Sequence, residues 1–250
     1  MKVLLKILTA FVFVAVLASC NTSHNDVNSQ VNKIGASSDL VQSASDSKDN
    51  VSSEYENYFS QEHPYEDLSL VSEVSKQNAV IIEENGNLAV VPFDDYREKN
   101  FANKTVLFDK EAVINYDVVN DKIFFVTASN VIYETDFRGE NTDKIFEFES
   151  KDNQNVENFF ANDSLIWFSL EHTVYRLYVP DKKLDELYTN EDMISFVPVS
   201  NYAIKYSVYS QQYKDFIAAG NDPDDVFFSE CDYYVFNSQT RESTPASQSD

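Results

Sequence analysis

The chain has 250 residues, with 42 acidic against 19 basic side chains and a formal net charge of −23. So acidic a surface repels phosphate backbones and anionic headgroups, which excludes nucleic acid as a partner and leaves cations, basic peptides or plain solvation. Two cysteines, Cys20 and Cys231, are too few for a disulfide framework, and four glycines are too few for a Gly-rich phosphate loop.

Taken in chain order, the first segment is Met1 to Cys20. Lys2 and Lys6 lead into an apolar run from Ile7 to Leu17, the charged start, short apolar core and small-residue exit of a secretory signal. The run is too short to span a bilayer, which takes about 20 apolar residues. Leu17, Ala18, Ser19 and Cys20 resemble the lipobox of bacterial lipoproteins at all four positions; the rival is an ordinary cleaved signal with an incidental cysteine. The resemblance implies removal of residues 1–19 and a thioether-linked diacylglycerol on Cys20. It also implies an address outside the cytoplasm, on the cell membrane or, in a two-membrane envelope, on the outer membrane. Two acyl chains anchor firmly where one is marginal, because each buried methylene contributes about 0.8 kcal/mol.

From residue 20 to 53 the chain is dominated by Asn, Ser, Asp and Gln and has no aromatic residue. It cannot bury enough apolar area to offset the entropy of ordering, so it reads as a disordered tether. Residues 54–75 are transitional, with a short helix expected around Glu66 to Lys76. Residues 76–240 are rich in Tyr, Phe, Val and Ile, enough for one sizeable core, and residues 241–250 read as a polar tail.

Within 76–240 the sequence repeats. A shift of 42 lays Asn120-Asp121 on Asn162-Asp163, Ile123-Phe124-Phe125 on Leu165-Ile166-Trp167, and Val131-Ile132-Tyr133 on Thr173-Val174-Tyr175. A shift of 43 places Val80-Ile81-Ile82 under Ile123-Phe124-Phe125, and Asn201 with Ala203 to Tyr206 opens a fourth unit. Each unit reads as short β-branched and aromatic strands joined by Asn, Asp, Ser and Gly. In the second unit the expected strands are Ala112 to Val119, Lys122 to Thr127, Val131 to Asp136 and Lys144 to Phe148. Asn85-Gly86 is a hairpin signal, since both residues tolerate positive φ. Helical periodicity is absent. Four strands every 40 to 45 residues is the spacing of a propeller blade.

Ile123-Phe124-Phe125, Val131 to Asp136, and the turn bearing Asp136, Gly139 and Asn141 resemble one blade of the low-density-lipoprotein-receptor-like (YWTD-like) β-propellers of exported bacterial proteins. That resemblance implies an all-β fold, a small or incomplete β-propeller of about four four-stranded blades; a β-sandwich is the alternative. The fourth unit is irregular, because a polar insertion from Gln211 to Asp225 divides it and no outermost strand is evident before the end. Four units are few for a closed ring, so either a segment near Tyr65 to Val74 closes it, or a second copy in a homodimer completes it, or the chain is a shortened relative of a larger propeller.

Catalytic motifs are not found, and no cofactor is expected. His24, His63 and His172 are scattered and lack zinc-ligand spacing. Asp222, Asp224 and Asp225 form the densest oxygen-ligand cluster and a weak calcium candidate, but without EF-hand spacing. Cys231, among Phe227, Phe228, Tyr233 and Tyr234, reads as a buried structural thiol. Tyr209 and Tyr213, in or beside the insertion, are the candidate ligand surface, as loops between strands carry recognition. The expected function is a lipid-anchored, non-enzymatic module that binds a protein or a cell-envelope glycan. The alternatives are a carbohydrate-active hydrolase using paired carboxylates, or an assembly subunit completed by a partner chain.

Overall fold

The computed structural model describes residues 53–65, 78–149, 156–226 and 228–248. Residues 1–52, with the lipobox and most of the tether, lie outside them, as does the helix expected around Glu66 to Lys76.

Fifteen strands form four antiparallel meanders. Blade 1 has three strands, β1 (Ala79–Glu84), β2 (Asn87–Pro92) and β3 (Thr105–Phe108), with a one-turn helix α2 (Phe93–Arg97) after β2. It follows helix α1 (Ser53–Tyr58) in the chain. Blade 2 is β4 (Val113–Val119), β5 (Lys122–Thr127), β6 (Val131–Asp136) and β7 (Asp143–Glu147). Blade 3 is β8 (Val156–Ala161), β9 (Leu165–Leu170), β10 (Thr173–Tyr178) and β11 (Lys183–Thr189). Blade 4 is β12 (Met193–Pro198), β13 (Ala203–Tyr209), β14 (Cys231–Asn237) and β15 (Glu242–Ala246), with helix α3 (Gln211–Ala218) between β13 and β14.

Three apolar clusters hold the blades in sequence. Ile81, Leu88 and Phe108 meet Ile123 and Phe125 between blades 1 and 2. Phe124, Val126 and Ile132 meet Phe159, Ile166 and Phe168 between blades 2 and 3. Trp167 and Val174 meet Phe196, Ile204 and Phe236 between blades 3 and 4. Each sheet therefore packs on the next, as blades do, rather than as the two facing layers of a sandwich. Among the described residues no strand of blade 1 pairs with blade 4, so the array is an incomplete β-propeller. Polar ties reinforce the seam between the inner strands of blades 2 and 3. The Ala161 amide donates to Asp117 at 2.7 Å, and Asn120 donates to Asp163 at 3.0 Å.

The equivalence of the blades differs by one residue from the ungapped shift. Phe125 stacks on Tyr133, Phe168 on Tyr175 and Tyr206 on Tyr234, with centroids 5.3, 5.5 and 5.6 Å apart. Phe125 thus corresponds to Phe168, not Trp167. The turn after β9 is one residue shorter than that after β5. The slip takes in β8 as well as β9, since Tyr116 pairs with Phe125 as Phe159 pairs with Phe168, and it exchanges the two faces of both strands.

Among the described residues blade 1 has three strands. Two further expectations are corrected. The polar tail is in part β15, whose Pro245 and exposed side chains suit an outermost edge strand and hide the usual β pattern. The insertion holds a real helix, α3, whose N-cap Ser210 Oγ accepts from the Tyr213 amide at 3.1 Å; the cap, rather than a long apolar stripe, marks its start.

The blade 2 turn matches its expectation in detail. Asp136 Oδ1 accepts from the Arg138 and Glu140 amides at 2.9 and 3.1 Å, and Asn141 donates to Oδ2 at 2.6 Å. Gly139, at φ +70°, lies where a Cβ would come within 3.2 Å of Leu107 Cα. Desolvation is the largest single influence on Asp136 and raises its carboxyl, but these donors together outweigh it and hold the group below its usual value of 3.8. The folded carboxyl thus adds stability that is complete above about pH 4 and is lost as pH falls through the lower folded value. Asp136→Asn should therefore lose less stability than the wild type between about pH 5 and 2, read from urea midpoints across that range.

Candidate functional site

The residues singled out from sequence do not converge. Tyr213 is buried at 8 % exposure, and its ring stacks on half-buried Tyr209 with centroids 5.0 Å apart. The pair fastens α3 to the end of β13, and burial of Tyr213 corrects its reading as an open recognition surface. Asp222 and Asp225 are exposed at either end of the turn Pro223–Asp225, and the Asp224 side chain lies outside the described residues. Among the described residues no three acidic, His or Cys side chains are grouped to hold a metal. His172 sits in the turn between β9 and β10, 3.4 Å from the Met193 carbonyl. Cys231 is buried on β14.

The structure instead places a groove of about 600 Å³ between the outer strands of blades 3 and 4, at the end reached by α1. Its lining includes Tyr55, Arg176, Asp185, Tyr188, Phe236 and Arg241. Arg176 projects from β10 opposite Asp185 of β11, because the two are cross-strand partners. Its Nη2 donates to Asp185 Oδ2 at 3.1 Å, and its Nη1 donates to the Asn201 carbonyl. The Tyr55 hydroxyl donates to the same Asp185 oxygen at 2.7 Å. The guanidinium lies over the Phe59 ring, 4.3 Å from its centroid. Arg176 is thereby 7 % exposed, with its Nε buried and without a partner. Burial, then the hydrogen bond to Asp185 and the charge of Asp185, raise the Tyr55 hydroxyl well above its usual value, so it remains a donor. On the other wall Tyr188 and Phe236 pack with centroids 4.3 Å apart.

The groove depends on the segment that carries α1, which clasps blades 3 and 4. Tyr202 donates to the Phe59 carbonyl, Ser200 donates to Glu62, and the His63 amide donates to Asn201 at 2.8 Å. Tyr65 joins by its amide to the Val199 carbonyl and by its ring edge to Trp167, 5.5 Å away. The signal for this clasp is present in sequence, since Tyr55, Tyr58 and Phe59 share one helical face at i, i+3 and i+4. Arg176 also stands out, a lone charge in the otherwise apolar run of β10, which is buried on both faces.

Comparison with protein families and with curated proteins finds no match. Among solved structures the chain is similar to the tricorn protease at 11 % identity and a TM-score of 0.48, covering 68 % of this chain and 16 % of that one. It is similar to the N-terminal domain of Nup159 at 12 % identity and a TM-score of 0.40, covering 67 % and 44 %. The nidogen/laminin complex gives 9 % identity and a TM-score of 0.38, covering 67 % and 60 %. The chain thus spans less than half the length of the first two. These are loose likenesses, and the fold assignment stands on strand order and blade packing.

Proposed function

We propose that this chain is a lipid-anchored module outside the cytoplasm. Its blade array, through the groove between blades 3 and 4, would bind a protein or glycan of the cell envelope. The groove carries the reading, because it is concave, rimmed by aromatic rings and floored by a fixed arginine, as ligand sites are. Binding rather than turnover is supported by Asp185, whose Oδ2 already accepts from Arg176 and Tyr55. A second reading, a subunit completed by another chain, draws on blade 1, in which the apolar strand β1 pairs on one side only among the described residues.

The anchor rests on Leu17, Ala18, Ser19 and Cys20. Intact mass spectrometry of the membrane-extracted protein should show a chain that begins at a diacylated Cys20. Cys20→Ser should release the protein from the membrane fraction. An unlipidated mature chain would overturn the anchor.

A further inference from the structure

We propose that the groove between blades 3 and 4 takes a neutral, polyhydroxylated ligand, a short oligosaccharide segment. The assignment rests on reading the domain as a binding module.

Its first support is charge. In a chain of net charge −23, the charged side chains lining this groove are Arg176 and Arg241 against Asp185 and Glu186. The signs cancel locally. A cation meets two guanidinium groups there and an anion meets two carboxylates, so neither gains from entering. A neutral ligand rich in hydroxyls pays little desolvation and can donate to the carboxylates while accepting from the guanidiniums.

The second support is rigidity. Arg176 is fixed by Asn201, Asp185 and the Phe59 ring, and Asp185 is fixed in turn by Tyr55. Thr189 at the wall donates to Glu186 at 3.1 Å. Polar groups already held in place lose little entropy when a ligand arrives, so weak individual hydrogen bonds to hydroxyls can still add to a measurable affinity.

The third support is the combination of walls. Half-buried Tyr188, backed by the buried Phe236 ring, supplies aromatic surface, while Thr189, Ser238 and the Tyr55 hydroxyl supply uncharged polar atoms. A sugar ring has the matching halves, an apolar C–H face and a rim of hydroxyls. An aliphatic ligand would leave the polar groups unpaired at a cost of about 1–3 kcal/mol for each one buried.

The test is calorimetric titration of the full-length, detergent-solubilised protein. The probes are chitotetraose, cellotetraose and maltotetraose as neutral ligands, tetragalacturonate as an anion and tetralysine as a cation. At least one neutral tetrasaccharide should bind saturably at one site per chain. Arg241→Ala, at the exposed rim, should weaken that binding about tenfold with the melting temperature unchanged, and Glu186→Ala should weaken it in the same direction. Neutral binding untouched by both substitutions would overturn the groove as its site. Saturable binding of only tetragalacturonate or tetralysine, altered by either substitution, would overturn the ligand class but leave the binding module standing. Silence of all five probes to millimolar concentration would overturn both.

Discussion

A chain that begins at residue 66 should melt about 10 °C below one that begins at residue 53, although the repeats themselves are intact in both. The shorter chain loses the α1 clasp, and with it the packing of Tyr55, Tyr58, Phe59 and Tyr65 against the core between blades 3 and 4. Half-burying an aromatic side chain contributes about 1–1.5 kcal/mol, and each hydrogen bond to Ser200, Asn201 or Tyr202 adds about 1 kcal/mol. Against this stands the entropy regained by the freed residues, leaving a loss on the order of 3–5 kcal/mol. In a domain of this size each kcal/mol moves the melting point by about 2–4 °C. The loss is sharpened by what remains, since Arg176 keeps its place in the sheet without the Phe59 ring and Asp185 without the Tyr55 hydroxyl. Differential scanning calorimetry of the two chains checks this; equal melting points would mean that the clasp contributes only to the groove.

Trp167→Ala should cost about 3–5 kcal/mol, among the largest effects of any single substitution here. Trp167 is fully buried on β9, with the Tyr65 ring on one side and Phe160 and Phe196 in the same cluster. Alanine would open a cavity at the seam of two sheets whose hydrogen-bonded strands cannot collapse to fill it. Trp167→Phe should cost far less, about 1–2 kcal/mol. Its indole Nε1 is buried without a hydrogen-bond partner, so phenylalanine removes an unsatisfied donor along with the lost volume. Urea midpoints of the two variants separate the contributions, and similar costs would show that volume alone decides.

Much of the blade architecture was legible because strand signals are local. Lys122 to Thr127 and Val131 to Asp136 agree with β5 and β6 at both ends, and the Asp136 turn closes as its residue types require. Edges were less legible. β15 carries Ser, Thr and Pro on an exposed rim, where burial imposes no alternation to read. The Phe125 to Trp167 superposition failed because the shorter turn after β9 shifts β8 and β9 together by one residue, while β10 keeps the ungapped spacing. The groove was hidden for a different reason. Its walls come from α1, β10, β11 and β14, far apart in sequence, and nothing in a one-dimensional reading brings Tyr55 beside Asp185. Tyr209 and Tyr213 misled because a loop position was taken as exposed, whereas the helix nucleated by Ser210 turns Tyr213 inward.

The clasp also sets an order of events as the chain emerges. Tyr55 finds Asp185 across 130 positions, and Phe59 finds Tyr202 across 143. Blades 2 and 3 are built from neighbouring hairpins and can form as soon as their own residues are free. The aromatic face of α1, by contrast, cannot dock until Tyr178 and Asp185 of β10 and β11 have appeared, and the clasp is complete only when Tyr202 follows. Until then it is an unshielded sticky patch near the leading end of the polypeptide, exposed to aggregation or to a holding chaperone. The groove is finished later, when blade 4 supplies Phe236, Ser238 and Arg241, so a chain still waiting for its fourth blade cannot yet bind.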